Sequence, residues 1–225
     1  MLILGIETAT TVCSAALIRD SQLVAESKLN IRNVHAAQLF QLIDNMYKAA
    51  DISARDLDGI AVSNGPGSFT GLRIGVAAVK GIATAIEKPI VTVNTLEALA
   101  ARAPAEQDTI CPLIKARSGE YYFAIYDRKQ FKDTCIRKAA VVKSDELVSL
   151  LPEPCIAIGH TLELPDMQNV SVAPPIFSYP SASSVAAIGE RDLLAGRVVD
   201  VDIFEPNYVQ GFIAGKPKAH ASRTV

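Results

Sequence analysis

Residues 2–29 read LILGIETATTVCSAALIRDSQLVAESKL, and their pattern decides the fold. Three short runs suit β-strands: residues 2–7 are nearly all apolar, 12–18 are small and apolar, and 22–29 alternate. Turn-prone residues at 8–11 and 19–21 separate them, and gaps this short favour antiparallel hairpins.

A helix is predicted next over about residues 34–50, with Asn33 as its N-cap. At about 100° per residue, Ala36, Leu39, Phe40, Leu42, Ile43, Met46, Tyr47 and Ala50 share one side. Gln38, Gln41, Asp44, Asn45 and Lys48 share the other. Residues 58–63 (DGIAVS) read as a central strand, 70–87 as a second helix stopped by Pro89, 90–93 as a strand and 95–102 as a short helix. The polar stretch 103–108 reads as a joint. Beyond it come strands at about 109–116, 120–126 and 133–142, a helix from Ser144, a strand at 155–158 and a helix at 183–194 stopped by Gly196. The order of elements repeats although no sequence repeat is visible. Two β-β-β-α-β-α units in tandem predict a duplicated α/β fold of the actin-like ATPase type, with subdomains at 1–100 and 101–212. The tail, 213–225, has little pattern and is expected to be partly disordered.

Composition narrows the function classes. Of 225 residues 49% are apolar and 20% charged, which excludes disordered and fibrous chains. A chain this long buries roughly 70% of its unfolded surface and needs no staples. Lys plus Arg number 22 against 24 Asp plus Glu, so the net charge of −2 removes the whole-chain basic field of a protein that grips nucleic acid unaided. A local basic patch stays open. Cys13, Cys111, Cys135 and Cys155 form no C-x-x-C pair, which removes support for zinc ribbons, thioredoxin motifs and haem attachment. They read as small buried hydrophobes in a reducing compartment. The first seven residues lack the basic start of a signal peptide, and no run of 18 apolar residues occurs, so the expected location is the cytoplasm, with no membrane partner.

The stretch 63–81, SNGPGSFTGLRIGVAAVKG, carries the most information. Glycines between a strand and a helix N-terminus let backbone amides approach an anion. Gly65, Gly67 and Gly71 are spaced one residue too long for the dinucleotide fingerprint, and no Gly-Lys-Ser/Thr follows. The spacing therefore favours a tight strand-to-helix turn over a nucleotide loop. In the helix, Gly71, Gly75, Ala78, Ile82 and Ala85 form one stripe and Leu72, Val76, Val79, Ala83 and Ile86 the next. Only Arg73, Lys80, Thr84 and Glu87 make a polar arc. Such a helix is buried around most of its circumference. It is either wedged inside its own domain or docked on a protein partner, and the second reading is preferred.

Catalytic constellations are thin. His35, His160 and His220 are far apart, His35 suits a surface or capping role, and Ser14 and Ser68 lack a G-x-S-x-G setting. Lys115, Arg117 and Glu120 read as a polar turn. Glu7, ending the first strand, stands where actin-like ATPases place a carboxylate that holds a hydrated metal.

Several motifs are similar to those of the TsaB (YeaZ) family: Leu4-Gly-Ile-Glu-Thr-Ala-Thr10, Gly65-Pro-Gly-Ser-Phe-Thr-Gly-Leu-Arg-Ile-Gly75, Val93-Asn-Thr-Leu-Glu-Ala-Leu99 and Ala116-Arg-Ser-Gly-Glu-Tyr-Tyr122. The resemblance covers about residues 1–125, and Glu205-Pro-Asn-Tyr208 also matches. It implies a non-catalytic scaffold that pairs with a TsaD-type catalytic subunit and works with a TsaE-type ATPase. Together these transfer a threonylcarbamoyl group to N6 of adenosine 37 in tRNAs reading codons that begin with A. It also implies a homodimer when the chain is alone, tRNA contact only through the complex, and no cofactor. The catalytic paralogue carries Asn-His-x-x-Gly-His where this chain has Asn94-Thr95-Leu96-Glu97-Ala98-Leu99, so Thr95 and Leu99 stand at the two metal-ligand positions. Leucine coordinates no metal. Lys115 and Gln210 depart from the family pattern, where Asp-Ala-Arg and Tyr-Leu-Arg are frequent.

The resulting expectation is an apolar patch of two helices offered to TsaD or to a second copy, with Leu39, Leu42, Ile43, Met46, Gly71, Gly75 and Ala78 as interface candidates. Glu7, Thr8, Gly65 and Gly67 are candidates for a vestigial nucleotide loop. The alternative is an actin-like kinase or carbamoyltransferase in its own right; a peptidase ranks last, for want of a nucleophile–base pair.

Overall fold

The computed structural model describes residues 1–117, 119–128, 135–160, 162 and 164–209. The expectations for the tail, for His220 and for Gln210 lie outside the described residues. Leu2–Glu7 forms β1, Val12–Arg19 β2 and Gln22–Asn30 β3. β1 and β2 pair antiparallel from Leu2↔Arg19 to Glu7↔Ser14, and β3 continues the meander. Helix α1 (His35–Ala50) then crosses to β4 (Gly59–Ser63), followed by α2 (Phe69–Ile86), β5 (Ile90–Val93) and α3 (Thr95–Ala100). The second half supplies β6 (Thr109–Lys115), β7 (Glu120–Asp127), β8 (Cys135–Lys143), α4 (Ser144–Leu150), β9 (Cys155–Gly159), β10 (Val170–Val172) and α5 (Ala182–Leu194).

The duplication is visible in the sheets. Their strand orders are β3-β2-β1-β4-β5 and β8-β7-β6-β9-β10. In each, the first three strands are antiparallel and the last two run parallel to the first. This is the actin-like ATPase fold. Among the described residues no α-helix joins β9 to β10, so α2 has no counterpart there in the second unit.

α1 and α2 cover one face of the first sheet, where Leu39, Ile43, Met46, Val76, Ala78 and Val79 join Leu4, Ile6, Leu17 and Ile60 in one core. The opposite face takes α5, through Val185, Ala186 and Ile188. α3 packs on the second sheet, with Leu96 and Leu99 against Ile110, Ile156 and Ile158. Each unit's last helix thus lies on the other unit's sheet, and the division at residue 100 follows the chain but not the packing. Arg191 on α5 pairs with Glu97 on α3 at 2.9 Å, joining the crossed helices. The segment after α5 also returns to the first unit: Val199 bridges Ile90, and Phe204 enters the first core.

Four local expectations need correction. Cys135 is exposed, whereas Cys13, Cys111 and Cys155 are buried as expected. Asn33 does not cap α1; it sits at φ +62°, a left-handed turn that asparagine tolerates, and Val34 occupies the cap position. His35 is buried rather than superficial, its Nε2 lying 3.0 Å from the Val12 carbonyl and fastening α1 to β2. Phe40, expected on the inward side of α1, is 57% exposed. By length and composition α2 alone among the described helices could cross a membrane, but seven of its residues, Gly71 among them, are buried inside the chain.

Candidate functional site

The parallel strands β1 and β4 end beside each other, and both lead into the turns that carry the sequence motifs. Register sets Lys28, Ser14 and Glu7 in one row across β3, β2 and β1, with Ser63 alongside on β4. The row faces α5, whose first amide, on Ala182, donates to Ser14 Oγ at 3.2 Å. Glu7 is fully buried and its Oε1 accepts from the Ala9 amide at 2.7 Å. Burial pushes its carboxyl up to about 7, against the opposing pull of the neighbouring Ser63 hydroxyl, the Ala9 amide and the Lys28 charge. Among the described residues, Glu7 Oε2, Ser63 Oγ and Thr8 Oγ1 have no hydrogen-bond partner of ordinary geometry, although the Ser63 hydroxyl lies near enough to act on the Glu7 charge.

The glycine turn is closed by the chain itself. A Cβ on Gly67 would stand 2.2 Å from the Ala9 carbonyl oxygen, and one on Gly71 2.0 Å from that of Thr8. One on Gly75 would meet Thr8 Oγ1 at 2.3 Å. The β1–β2 turn therefore fills the notch these glycines leave, and the Ser68 amide donates to Ala9 O at 2.6 Å. Ser68 also caps α2, its Oγ accepting from the Gly71 amide. Gly65, at φ +110°, leaves room for the Asn207 carbonyl, and the Asn207 amide donates to Asn64 O at 2.8 Å. Tyr208 then reaches α2: its ring lies 5.0 Å from that of Phe69, and Arg73 Nε donates to its hydroxyl at 3.3 Å. The Arg73 guanidinium sits 3.9 Å above the Phe69 ring. Two motifs about 140 residues apart in the chain thus meet on one surface.

The positions matched to metal ligands have other duties. Thr95 is buried; its Oγ1 accepts from the Gly65 amide at 3.1 Å and its own amide donates to Gly65 O at 2.9 Å. Leu99 is fully buried in the second core. Asn94, which precedes them, caps α3 through the amides of Leu96 and Glu97. Among the described residues no group of three or more His, Cys, Asp or Glu side chains gathers.

Six of the seven interface candidates turn inward. Leu39, Ile43 and Met46 are buried under α1, and Gly71, Gly75 and Ala78 under α2; Leu42 is half-buried. The physical reason is that the small-residue stripe accommodates Thr8, so close approach occurs within the chain. What remains on the outside is a different set: Ala36, Ala37 and Phe40 on α1 and Arg73, Ala77, Gly81, Thr84 and Ala85 on α2, with Ile74 half-buried. A Cβ on Gly81 would meet nothing within 4 Å among the described residues. Beside it, Lys80, Gly81, Thr84, Ala85, Val201 and Asp202 line a groove of about 450 Å³. Periodicity places Ala85 on the same stripe as Gly71 and Phe40 on the inward side; the helix glycine at 81 signals a need for packing, but not the face that supplies it.

Comparison with known proteins agrees with the motifs. The family model described as "TsaD: tRNA N6-adenosine threonylcarbamoyltransferase" matches residues 24–190. The protein named tRNA threonylcarbamoyladenosine biosynthesis protein TsaB from Bacillus subtilis is 30% identical over 73% of this chain and 73% of its own length. Its Escherichia coli namesake is 29% identical over 96% of this chain and 97% of its own. The solved structure of YeaZ from Pseudomonas aeruginosa superposes with a TM-score of 0.79 at 24% identity, covering 92% of this chain and 99% of that one. The chain is a member of the TsaB (YeaZ) family, within the wider family that the threonylcarbamoyltransferase model describes.

Proposed function

We propose that the chain is a pairing subunit of the complex that installs threonylcarbamoyl on tRNA adenosine 37. In this reading it docks a TsaD-type catalytic subunit on the outer faces of α1 and α2. Its relatives' names support the pathway. The observation that carries the docking surface is Gly81. A glycine inside a helix costs about 1 kcal/mol relative to alanine, and at Gly75 the contact with Thr8 offsets that cost. At Gly81 nothing among the described residues does. A facing helix that approaches closely over Ala77, Gly81 and Ala85, with the exposed Phe40 of α1 as a second contact, supplies the compensation. The same surface serves a homodimer when the chain is alone.

A non-catalytic role is supported by Thr95 and Leu99, which are committed to the glycine turn and to the second core. A TsaE-type ATPase joins the larger complex. With a net charge of −2, most tRNA phosphate contacts fall to the other subunits. One observation keeps the competing reading of an actin-like enzyme: the Oε2 of buried Glu7 at the end of β1, which has no hydrogen-bond partner among the described residues. Robust ATP hydrolysis by the isolated chain would establish that reading and overturn the first.

The docking test is Gly81→Leu, gel-filtered with the purified TsaD-type subunit of the same organism. Loss of the heterodimer without any fall in the thermal midpoint of the isolated chain is expected. Undiminished heterodimer refutes the surface.

A further inference from the structure

Thr95 lies at the junction of three parts of the molecule. It opens α3, whose Leu96 and Leu99 belong to the second unit's core. Its hydroxyl and amide hold Gly65 in the turn between β4 and α2. Against Gly65 lies the Asn207 carbonyl, and the next residue, Tyr208, holds Arg73 and Phe69 on the first two turns of α2. The links are all short and local: Thr95 to Gly65, Gly65 to Asn207, Tyr208 to Arg73.

Arg73 is the ordered cation at the end of this chain of contacts. It is exposed, and among the described residues no carboxylate pairs with it. Arginine and tyrosine are over-represented among residues that carry binding energy, and a side chain ordered in advance loses less entropy on association. Phe69 and Tyr208 provide that ordering here.

We propose that Thr95 is a positioning residue for pairing: by fixing Gly65 and the segment that crosses it, it presents Arg73 and Phe69 to the partner in one orientation. The inference rests on the docking reading above and deepens it. The residue at a paralogue's metal-ligand position would then tie the second unit's core to the docking helix. The partner feature it serves is a carboxylate or a backbone carbonyl row placed to accept the Arg73 guanidinium.

The test compares Thr95→Val, which keeps the volume and removes the acceptor, with Thr95→Ser, which keeps the hydroxyl. Two readouts are taken on the full chain: the Arg73 Nε–H resonance, which the Phe69 ring shifts, and the dissociation constant for the TsaD-type subunit. Thr95→Val is expected to move the resonance toward its free-arginine position and to weaken pairing roughly tenfold. Thr95→Ser should leave both in place, and in an Arg73→Ala background Thr95→Val should weaken pairing no further. A thermal midpoint that falls while resonance and pairing hold makes Thr95 merely structural and overturns the inference. So does an effect undiminished in the Arg73→Ala background. A wild-type chain that shows the Arg73 response yet captures no TsaD-type subunit overturns the docking reading and this one with it. A wild-type chain that pairs, with Thr95→Val pairing equally, overturns this one alone.

Discussion

Alanine at Gly81 should stabilise the isolated chain, and alanine at Gly71 should destabilise it, although both glycines lie in the same helix. At Gly81 the added methyl meets no atom of the described residues within 4 Å, so only helix propensity changes. That gain is about 0.8–1 kcal/mol, which for a domain of this size raises the midpoint by roughly 2–4 °C. At Gly71 the same methyl would stand 2.0 Å from the Thr8 carbonyl oxygen. Neither side yields easily, because Ser68 caps the helix there and its amide is bonded to Ala9 of the facing turn. Overpacking of this kind costs about 1–3 kcal/mol and outweighs the propensity gain, leaving a net loss of up to about 2 kcal/mol. Thermal unfolding followed by circular dichroism, at concentrations where the chain is monomeric, measures both. A lowered midpoint for Gly81→Ala would show that the outer face of α2 is already covered, and a raised one for Gly71→Ala that Thr8 does not fill the notch. The contrast also disqualifies Gly75→Leu as a probe of pairing, since its side chain collides with Thr8 before any partner arrives.

Two further outcomes follow from buried groups. Glu7 has its folded pKa raised to about 7 from 4.5, so the folded state binds the extra proton between those values and stability falls as pH rises from about 4.5 to 7, levelling above. The loss is on the order of 3 kcal/mol; Glu7→Gln should flatten the midpoint-against-pH curve, and an unchanged slope would show that Glu7 is not the titrating group. Leu99→His should cost about 3 kcal/mol or more, because an imidazole replaces a fully buried leucine in the second core. It should take up no zinc or iron by elemental analysis, and stoichiometric metal would refute the structural assignment of this position.

The architecture follows from local patterns along the chain. The apolar and alternating runs of 2–29 dictate a three-stranded meander, and the same order of elements after residue 108 dictates a second one, because strand and helix periods are local properties of the chain. Likewise the motif around Gly65–Gly75 announced a close approach, since several glycines at a strand-to-helix turn have few other uses. Tertiary structure alone decided what approaches. Periodicity reports that a helix has an apolar face, not which neighbour covers it, so Leu39, Ile43, Met46, Gly71, Gly75 and Ala78 looked available for a partner until the β1–β2 turn and the sheet were seen to occupy them. The crossing of α3 and α5 onto each other's sheets escaped for the same reason. Tyr208 on Arg73, Asn207 on Asn64 and Thr95 on Gly65 are contacts between residues 30 to 143 positions apart, and no local pattern encodes them. They exist because two units folding against each other bring the ends of β1, β4 and the last segment to one place, and that meeting point is a property of the packed chain rather than of any stretch within it.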